Sequence, residues 1–264
     1  MVFVIIFLLV FAYIFARVYT EVYRGIVGSD QQPDPTHAEN TQQGHLPQKS
    51  NNELRFTCLN DSEIESRVYV YVRGFGNDST VVDTIRPLAE KDPKFAGFFD
   101  FSYNIKSTLD TILSEYTEQL NTFLSEHQSD EIVLIAQSAG GVIASQHAHL
   151  LPTDRTTELH TMASPLNGYH IPSIFIPKDL QGLGHNLAAG VNPHKEAPDN
   201  VQAFHHKTIT DEKLKGYCGG LKSFCSVQKI QNNNLRNSAE FFYPEHNHDT
   251  IMGHVARMVV ACQN

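Results

Sequence analysis

A serine set on a tight turn between small residues is a ready place for a nucleophile. The chain carries one in Ala136-Gln137-Ser138-Ala139-Gly140, with Gly141 behind it. In acyl transfer the hydroxyl must project from a sheet edge while the backbone turns sharply into a helix. Small residues two before and two after the serine relieve the crowding of that turn. The run EIVLIA before it is continuously apolar, as a buried parallel strand is, and VIASQHAHLL after it resumes with helical character. An S-x-G triplet alone is common, and the plain alternative is a serine capping an ordinary strand-to-helix turn. A second loop, Arg73-Gly74-Phe75-Gly76, follows the β-branched and aromatic run RVYVYV. Glycine there lets the backbone approach a substrate, and acyl transfer needs two N–H groups to hold the developing oxyanion. One donor is expected from Ala139, directly after the serine, and the other from Phe75, with Gly76 as the alternative. The plain alternative for this loop is a simple glycine-rich turn. Histidine and carboxylate complete such chemistry, as a base and as the group that orients it. With 14 histidines in the chain, a lone one carries little weight.

The elements that must position these residues alternate. After RVYVYV, the segment STVVDTIRPLAEKD has helix-compatible spacing, and FAGFFDFSYN reads as a second strand. LDTILSEYTEQLNTFLSEH places Leu109, Ile112, Leu113, Tyr116, Leu120 and Leu124 on one helical face. TELHTMA is a strand stopped by SPLNG, VQAFHHKTIT a strand ending at Asp211, and SAEFFYP the last strand. TIMGHVARMVVAC closes the chain as an amphipathic helix. Strands alternating with helices predict a parallel, doubly wound α/β sheet.

From Arg67 to Cys262 the chain resembles the lipase-like branch of the α/β-hydrolase superfamily, small triacylglycerol lipases and GPI-inositol-deacylase-type hydrolases among them. RGFGND resembles the H-G-F-G loop of that branch, with Arg73 in the histidine place. AQSAGG resembles its nucleophile elbow, with Ala136 where glycine is usual. HTMASPLNGY resembles its T-x-A-[ST]-P-x-x-G segment. The resemblance implies a mostly parallel sheet of the α/β-hydrolase type with a short cap insertion, and the chain order serine, acid, histidine. It puts the base at His248, within NHDTIM, with His246 next and His254 inside the final helix. It puts the acid at Asp211, with Glu212 next and Asp199 and Asp179 as alternatives. The implied activity is cleavage of a carboxylic ester of a small molecule or lipid through an acyl-enzyme, with no cofactor and no metal. A thioesterase, peptidase or acyltransferase uses the same residues. A non-catalytic, membrane-tethered interaction domain of this fold is the reading from another class. Loss of the serine, histidine or loop glycines would mark it, and all are present.

Residues Tyr169 to Asn200 are irregular, with several Pro and Gly and scattered Ile, Leu and Phe. A connection that long predicts a cap over the site, with Ile174 and Phe175 as substrate-binding residues; a loop that merely completes the core is the plain alternative. His205 and His206 are adjacent in a strand and so point to opposite faces, which argues against a metal pair. A net charge of −9 gives nucleic-acid binding no electrostatic support. Hydrophobic residues at 41% and charged residues at 19% describe an ordinary globular chain.

The chain divides into an N-terminal hydrophobic anchor at 1–23, a polar linker at 24–53 and the α/β domain at 54–264. Residues 2–16 carry no charge, and counting to Tyr23 with Arg17 snorkelling reaches the length of a membrane span. A single-pass membrane anchor is expected, with a cleaved signal peptide as its rival; Arg17 and Arg24, diluted by Glu21, favour a cytoplasmic domain, while the cysteine count points to the other side. Four cysteines, Cys58, Cys218, Cys225 and Cys262, are compatible with disulfides outside the cytoplasm. A disulfide between Cys218 and Cys225 would close a short loop. Four free buried thiols are the plain alternative.

Overall fold

The computed structural model describes residues 64–76, 79–173, 176, 178, 180–192, 197–209, 211–216, 227–231, 235 and 238–263. The expected anchor at 1–23 and linker at 24–53 lie outside the described residues. No helix among the described residues is long and apolar enough to cross a membrane.

The apolar runs form strands. They are β1 (Arg67–Val72), β2 (Phe95–Phe101), β3 (Glu131–Gln137), β4 (Thr156–Met162), β5 (Val201–Thr208) and β6 (Ser238–Tyr243). All five pairings are parallel, and the sheet order is β2-β1-β3-β4-β5-β6. Every residue of β1 and of β3 is buried. That explains why those segments read as continuous apolar runs rather than as alternating ones.

Helices cover both faces. On one face α1 (Thr80–Ala89) lies beside α7 (His248–Gln263), and Val82, Ile85, Val255 and Val259 pack with Tyr69, Tyr71, Val133 and Ile135. On the other face α2 (Leu109–Glu126) and α3 (Ala139–His147) cover Val70, Val72, Leu134 and Ala136. The buried stripe of α2 is Leu109, Ile112, Tyr116, Leu120, Phe123 and Leu124. Each such side chain contributes roughly 1.5–3 kcal/mol by leaving water. The side chain of Thr108 starts α2 by accepting the Thr111 N–H at 3.3 Å.

Two features depart from the sequence reading. The segment 169–200 is not wholly irregular, because α4 (Gly182–Ala189) lies within it. Two glycines and a weak apolar period hid this helix, and contacts distant in sequence hold it. Cys262 is disulfide-bonded, which corrects the free-thiol alternative at that position. Its partner lies outside the described residues. Two further short helices, α5 (Glu212–Gly216) and α6 (Val227–Ile230), follow β5.

Topology fixes where a ligand can sit. The chain runs from β1 outward to β2, then crosses back to β3 on the other side of β1. The loops leaving the C-terminal ends of β1 and β3 therefore diverge to opposite faces, which opens a crevice between them. Gly74 and Phe75 follow the end of β1, and Ser138 follows the end of β3.

Candidate active site

Ser138 sits on a strained turn. Its φ of 48° and ψ of −120° are unusual for a residue with a side chain, and α3 begins at the next residue. Its N–H donates to Met162 O at 2.9 Å, which ties the turn to β4. The small residues of the motif have specific neighbours. A Cβ on Gly140 would lie 2.4 Å from the carbonyl oxygens of Val72 and Arg73, and one on Gly141 would lie 1.9 Å from Ser164 Oγ. Both glycines therefore let α3 press against the loop after β1 and against the segment after β4.

His248 is the first residue of α7, and the turn after β6 delivers it to the serine. His248 Nε2 lies 3.0 Å from Ser138 Oγ, and His248 Nδ1 lies 2.7 Å from Asp211 Oδ2. Ser138, His248 and Asp211 are 9%, 6% and 0% exposed, so water barely competes for these bonds. Asp211 also accepts from the Leu214 N–H at 2.8 Å and from Thr208 Oγ1 at 3.1 Å. Burial pushes its pKa up. The hydrogen bond from His248, the charge on His248, the Leu214 N–H and Thr208 together hold it below the usual carboxylate value. With His248 Nδ1 donating to this carboxylate, Nε2 is left to accept the serine proton.

Ser138 stands on a sharp turn at the switch point of a six-stranded parallel sheet, with Asp211 and then His248 following it in chain order. The fold is of the α/β-hydrolase type.

The chain is similar to several solved structures. The esterase domain of a Rhodothermus marinus protein is 16% identical, with 75% of this chain and 84% of that one covered and a TM-score of 0.40. Est1E from Butyrivibrio proteoclasticus is 13% identical, with 75% and 88% covered and a TM-score of 0.48. The esterase EaEST from Exiguobacterium antarcticum is 10% identical, with 76% and 92% covered and a TM-score of 0.45. No protein-family model matches the chain, and no curated protein matches it. The chemistry below is drawn from this chain's own residues.

Phe75, Ser138, Ala139, Pro165, Tyr169, Gly184 and Leu187 line a cleft of about 330 Å³, counted out to its open mouth. Both residues expected to supply oxyanion donors, Phe75 and Ala139, are thus at the serine. Gly76 adopts a φ of 95°. A Cβ on Gly74 would come within 3.3 Å of the Ser138 Cβ, so this loop rides directly on the elbow. Glu212 is exposed and paired with Lys215 at 2.7 Å. Asp199 is exposed. His246 stacks on His254 with ring centroids 4.5 Å apart. Asp179, Ile174 and Phe175 lie outside the described residues.

His205 and His206 face opposite sides of β5. Thr161 Oγ1 lies 2.7 Å from His205 Nδ1, and His206 Nδ1 lies 2.9 Å from the Tyr243 hydroxyl. Burial lowers the pKa of both, that of His205 to about 3.

Sequence reasoning missed the supports. Arg73 spans the carboxylate of Asp100 with two bonds, Nε to Oδ1 at 2.8 Å and Nη2 to Oδ2 at 2.5 Å. This fork fastens the Phe75 loop to the end of β2. The Tyr71 hydroxyl donates to Gln137 Oε1, next in the chain to Ser138. Thr208 and the Leu214 N–H hold Asp211. The TMASP segment carried a usable signal, because its Ser164 packs on Gly141 and its Pro165 lines the cleft.

Proposed function

We propose that this protein is a serine hydrolase that cleaves carboxylic esters through an acyl-enzyme. Support comes above all from one observation, the hydrogen-bonded row Asp211–His248–Ser138 with its serine opening into an apolar cleft. In the first half-reaction, His248 Nε2 takes the Ser138 hydroxyl proton as Oγ attacks the ester carbonyl. Asp211 remains ionised and stabilises the imidazolium. The N–H groups of Phe75 and Ala139 are the candidate donors to the oxyanion, where preformed dipoles lower the barrier most. The C–O bond to the leaving alcohol then breaks, and His248 returns its proton to that oxygen. Water repeats the sequence on the acyl-enzyme and releases the acid and the free serine.

The substitution Ser138→Ala in the full chain tests this proposal on a panel of acyl esters. Loss of hydrolysis by several orders of magnitude in a folded variant is expected. Retained hydrolysis by the Ser138→Ala protein contradicts the mechanism.

Residues 1–23 are proposed to anchor the protein in a membrane, with the catalytic domain on the oxidising side. The charge-free apolar run and the disulfide at Cys262 support this. Resistance to alkaline carbonate extraction is the expected result. A mature chain that begins after residue 23 overturns it.

A further inference from the structure

A row of titratable side chains that ester cleavage does not use crosses the sheet. It joins Glu158 and His160 of β4, His206 of β5 and Tyr243 of β6. His160 Nε2 lies 3.3 Å from Glu158 Oε2, His160 Nδ1 lies 3.2 Å from His206 Nε2, and His206 Nδ1 lies 2.9 Å from the Tyr243 hydroxyl. The strand register builds the row. His160 stands opposite Phe204, and His206 stands opposite Phe241. Each cross-strand bond therefore runs to the diagonal neighbour, further along the next strand, a span that long side chains cross. The two imidazoles meet edge to edge. Their centres are 5.5 Å apart, close to the largest separation possible for rings whose nitrogens are 3.2 Å apart. The shared bond thus lies along both rings, where an imidazole N–H and lone pair point. Glu158, His160 and His206 are buried, and Phe204 and Phe241 stack on the two imidazoles with centres 4.8 and 5.3 Å away.

The protonation of two members is set by their surroundings. Burial, with the neighbouring histidines, holds the pKa of His206 well below its usual value, so this imidazole is neutral, with one N–H and one lone pair. Burial pushes Tyr243 up to about 12, so its hydroxyl keeps its proton. The same face of the sheet carries Arg67, Asp92 and Glu131, tied to one another toward the start of the strands. From α7 comes His254, with Arg257 acting on it, and His205 acts on His206 from the other face of β5.

The row then has two directions. With Glu158 ionised and His160 neutral, His160 Nε2 donates to the carboxylate, His206 Nε2 donates to His160 Nδ1, and Tyr243 donates to His206 Nδ1. One more proton held between Glu158 and His160 makes His160 Nδ1 a donor. His206 must then accept at Nε2 and donate from Nδ1, and Tyr243 becomes the acceptor. No group has to move. A proton from water enters at the Tyr243 oxygen, the Tyr243 proton passes to His206 Nδ1, and the His206 Nε2 proton passes to His160 Nδ1. The Glu158–His160 pair gains one positive charge. Tyr243 stands at the exit of β6, and its carbonyl accepts the His246 N–H at 3.3 Å in the turn that delivers His248.

We propose that Glu158, His160, His206 and Tyr243 form a proton switch, in which one proton stored on the Glu158–His160 pair reverses the row and, through Tyr243, resets the turn that carries His248. Its effect on catalysis rests on the hydrolase function proposed above, and the reversal itself does not.

The test is nitrogen-15 NMR of the full chain with labelled histidines, alongside kcat on a p-nitrophenyl ester, both followed over pH. His206 is expected to carry its proton on Nε2 at high pH and on Nδ1 at low pH, without becoming doubly protonated in the folded protein. Glu158→Gln is expected to move that exchange down by about one pH unit or more, because the carboxylate that favours the extra proton is gone. The kcat profile is expected to show a step at the midpoint of the exchange, and Tyr243→Phe to remove it. If Glu158→Gln does not fold, the wild-type exchange decides. One His206 tautomer at every pH where the chain is folded, a doubly protonated His206, or an exchange unmoved in folded Glu158→Gln overturns the switch. An exchange with no matching step in kcat, or a step that persists in Tyr243→Phe, overturns the link to His248. No ester cleaved at any pH overturns the hydrolase proposal, and the NMR titration still decides the reversal.

Discussion

Replacing Asp211 by Asn isolates the charge at the far end of the hydrogen-bonded row. The shape is nearly unchanged. An amide oxygen can still accept the Leu214 N–H that now meets Oδ1 at 2.8 Å. The atom toward His248, now a carboxylate oxygen 2.7 Å from Nδ1, becomes an amide nitrogen. It cannot accept the Nδ1 proton, so the imidazole is driven toward the wrong tautomer. The imidazolium formed during attack also loses its counter-charge. At 2.7 Å and an effective dielectric of about 20, two unit charges attract by roughly 6 kcal/mol. The imidazolium charge is spread over the ring, and a mean separation of about 4 Å lowers this to roughly 4 kcal/mol. At about 1.36 kcal/mol per tenfold, those limits correspond to a loss of about 10³- to 10⁴-fold in kcat. That agrees with the factor of about 10⁴ for the same change in serine proteases. The assay is kcat for a short-chain ester with active sites counted by titration, alongside thermal unfolding to show that the variant is folded. A folded Asp211→Asn protein within about tenfold of the wild-type kcat refutes the reasoning, because Asp211 would then not support the base.

Two other perturbations follow from the surroundings of the site. Asp100→Asn removes the charged fork with Arg73 and loosens the Phe75 loop, so kcat should fall by roughly tenfold, less than the 10²–10³-fold loss of a whole oxyanion donor, while KM changes little; Arg73→Lys should not restore it, because lysine cannot bond both oxygens. A rise in KM at constant kcat would show that the pair serves substrate binding instead. His147 is buried, and neither of its ring nitrogens has a hydrogen-bond partner among the described residues; burial lowers its pKa to about 4. The folded state thus excludes a proton that the unfolded state binds below about pH 6.5, and the resulting stability is present above that pH and is lost as the pH falls toward 4, by about 3 kcal/mol in total. His205 and His206 act in the same direction. Urea unfolding at pH 7 and pH 5 measures the slope, and a buried neutral substitute at His147 should reduce it; an unchanged slope contradicts the assignment.

The sheet was legible because its strands are buried on both faces. EIVLIA and RVYVYV announce themselves as apolar runs, and Ala136, Gly140 and Gly141 mark the turn between β3 and α3. Asp211 and His248 were legible because they stand at strand and helix boundaries, in an order that the resemblance supplied. The supports were not legible. Arg73 and Asp100 are 27 residues apart and Asn186 and Leu109 are 77 apart, and no local pattern links such pairs. Helix α4 was missed for the same reason, since GLGHNLAA has little intrinsic helicity and is held by Ile105, Leu109, Tyr169 and Ile171.

The central claim is that Ser138 forms the acyl-enzyme, and mass spectrometry tests it most directly. The full-length protein is treated with a fluorophosphonate and digested, and the peptides are sequenced by fragmentation. A single adduct on Ser138 is predicted, absent from Ser138→Ala and slowed by several orders of magnitude in a folded His248→Ala protein. An adduct on another residue, or labelling that survives in Ser138→Ala, would contradict the account.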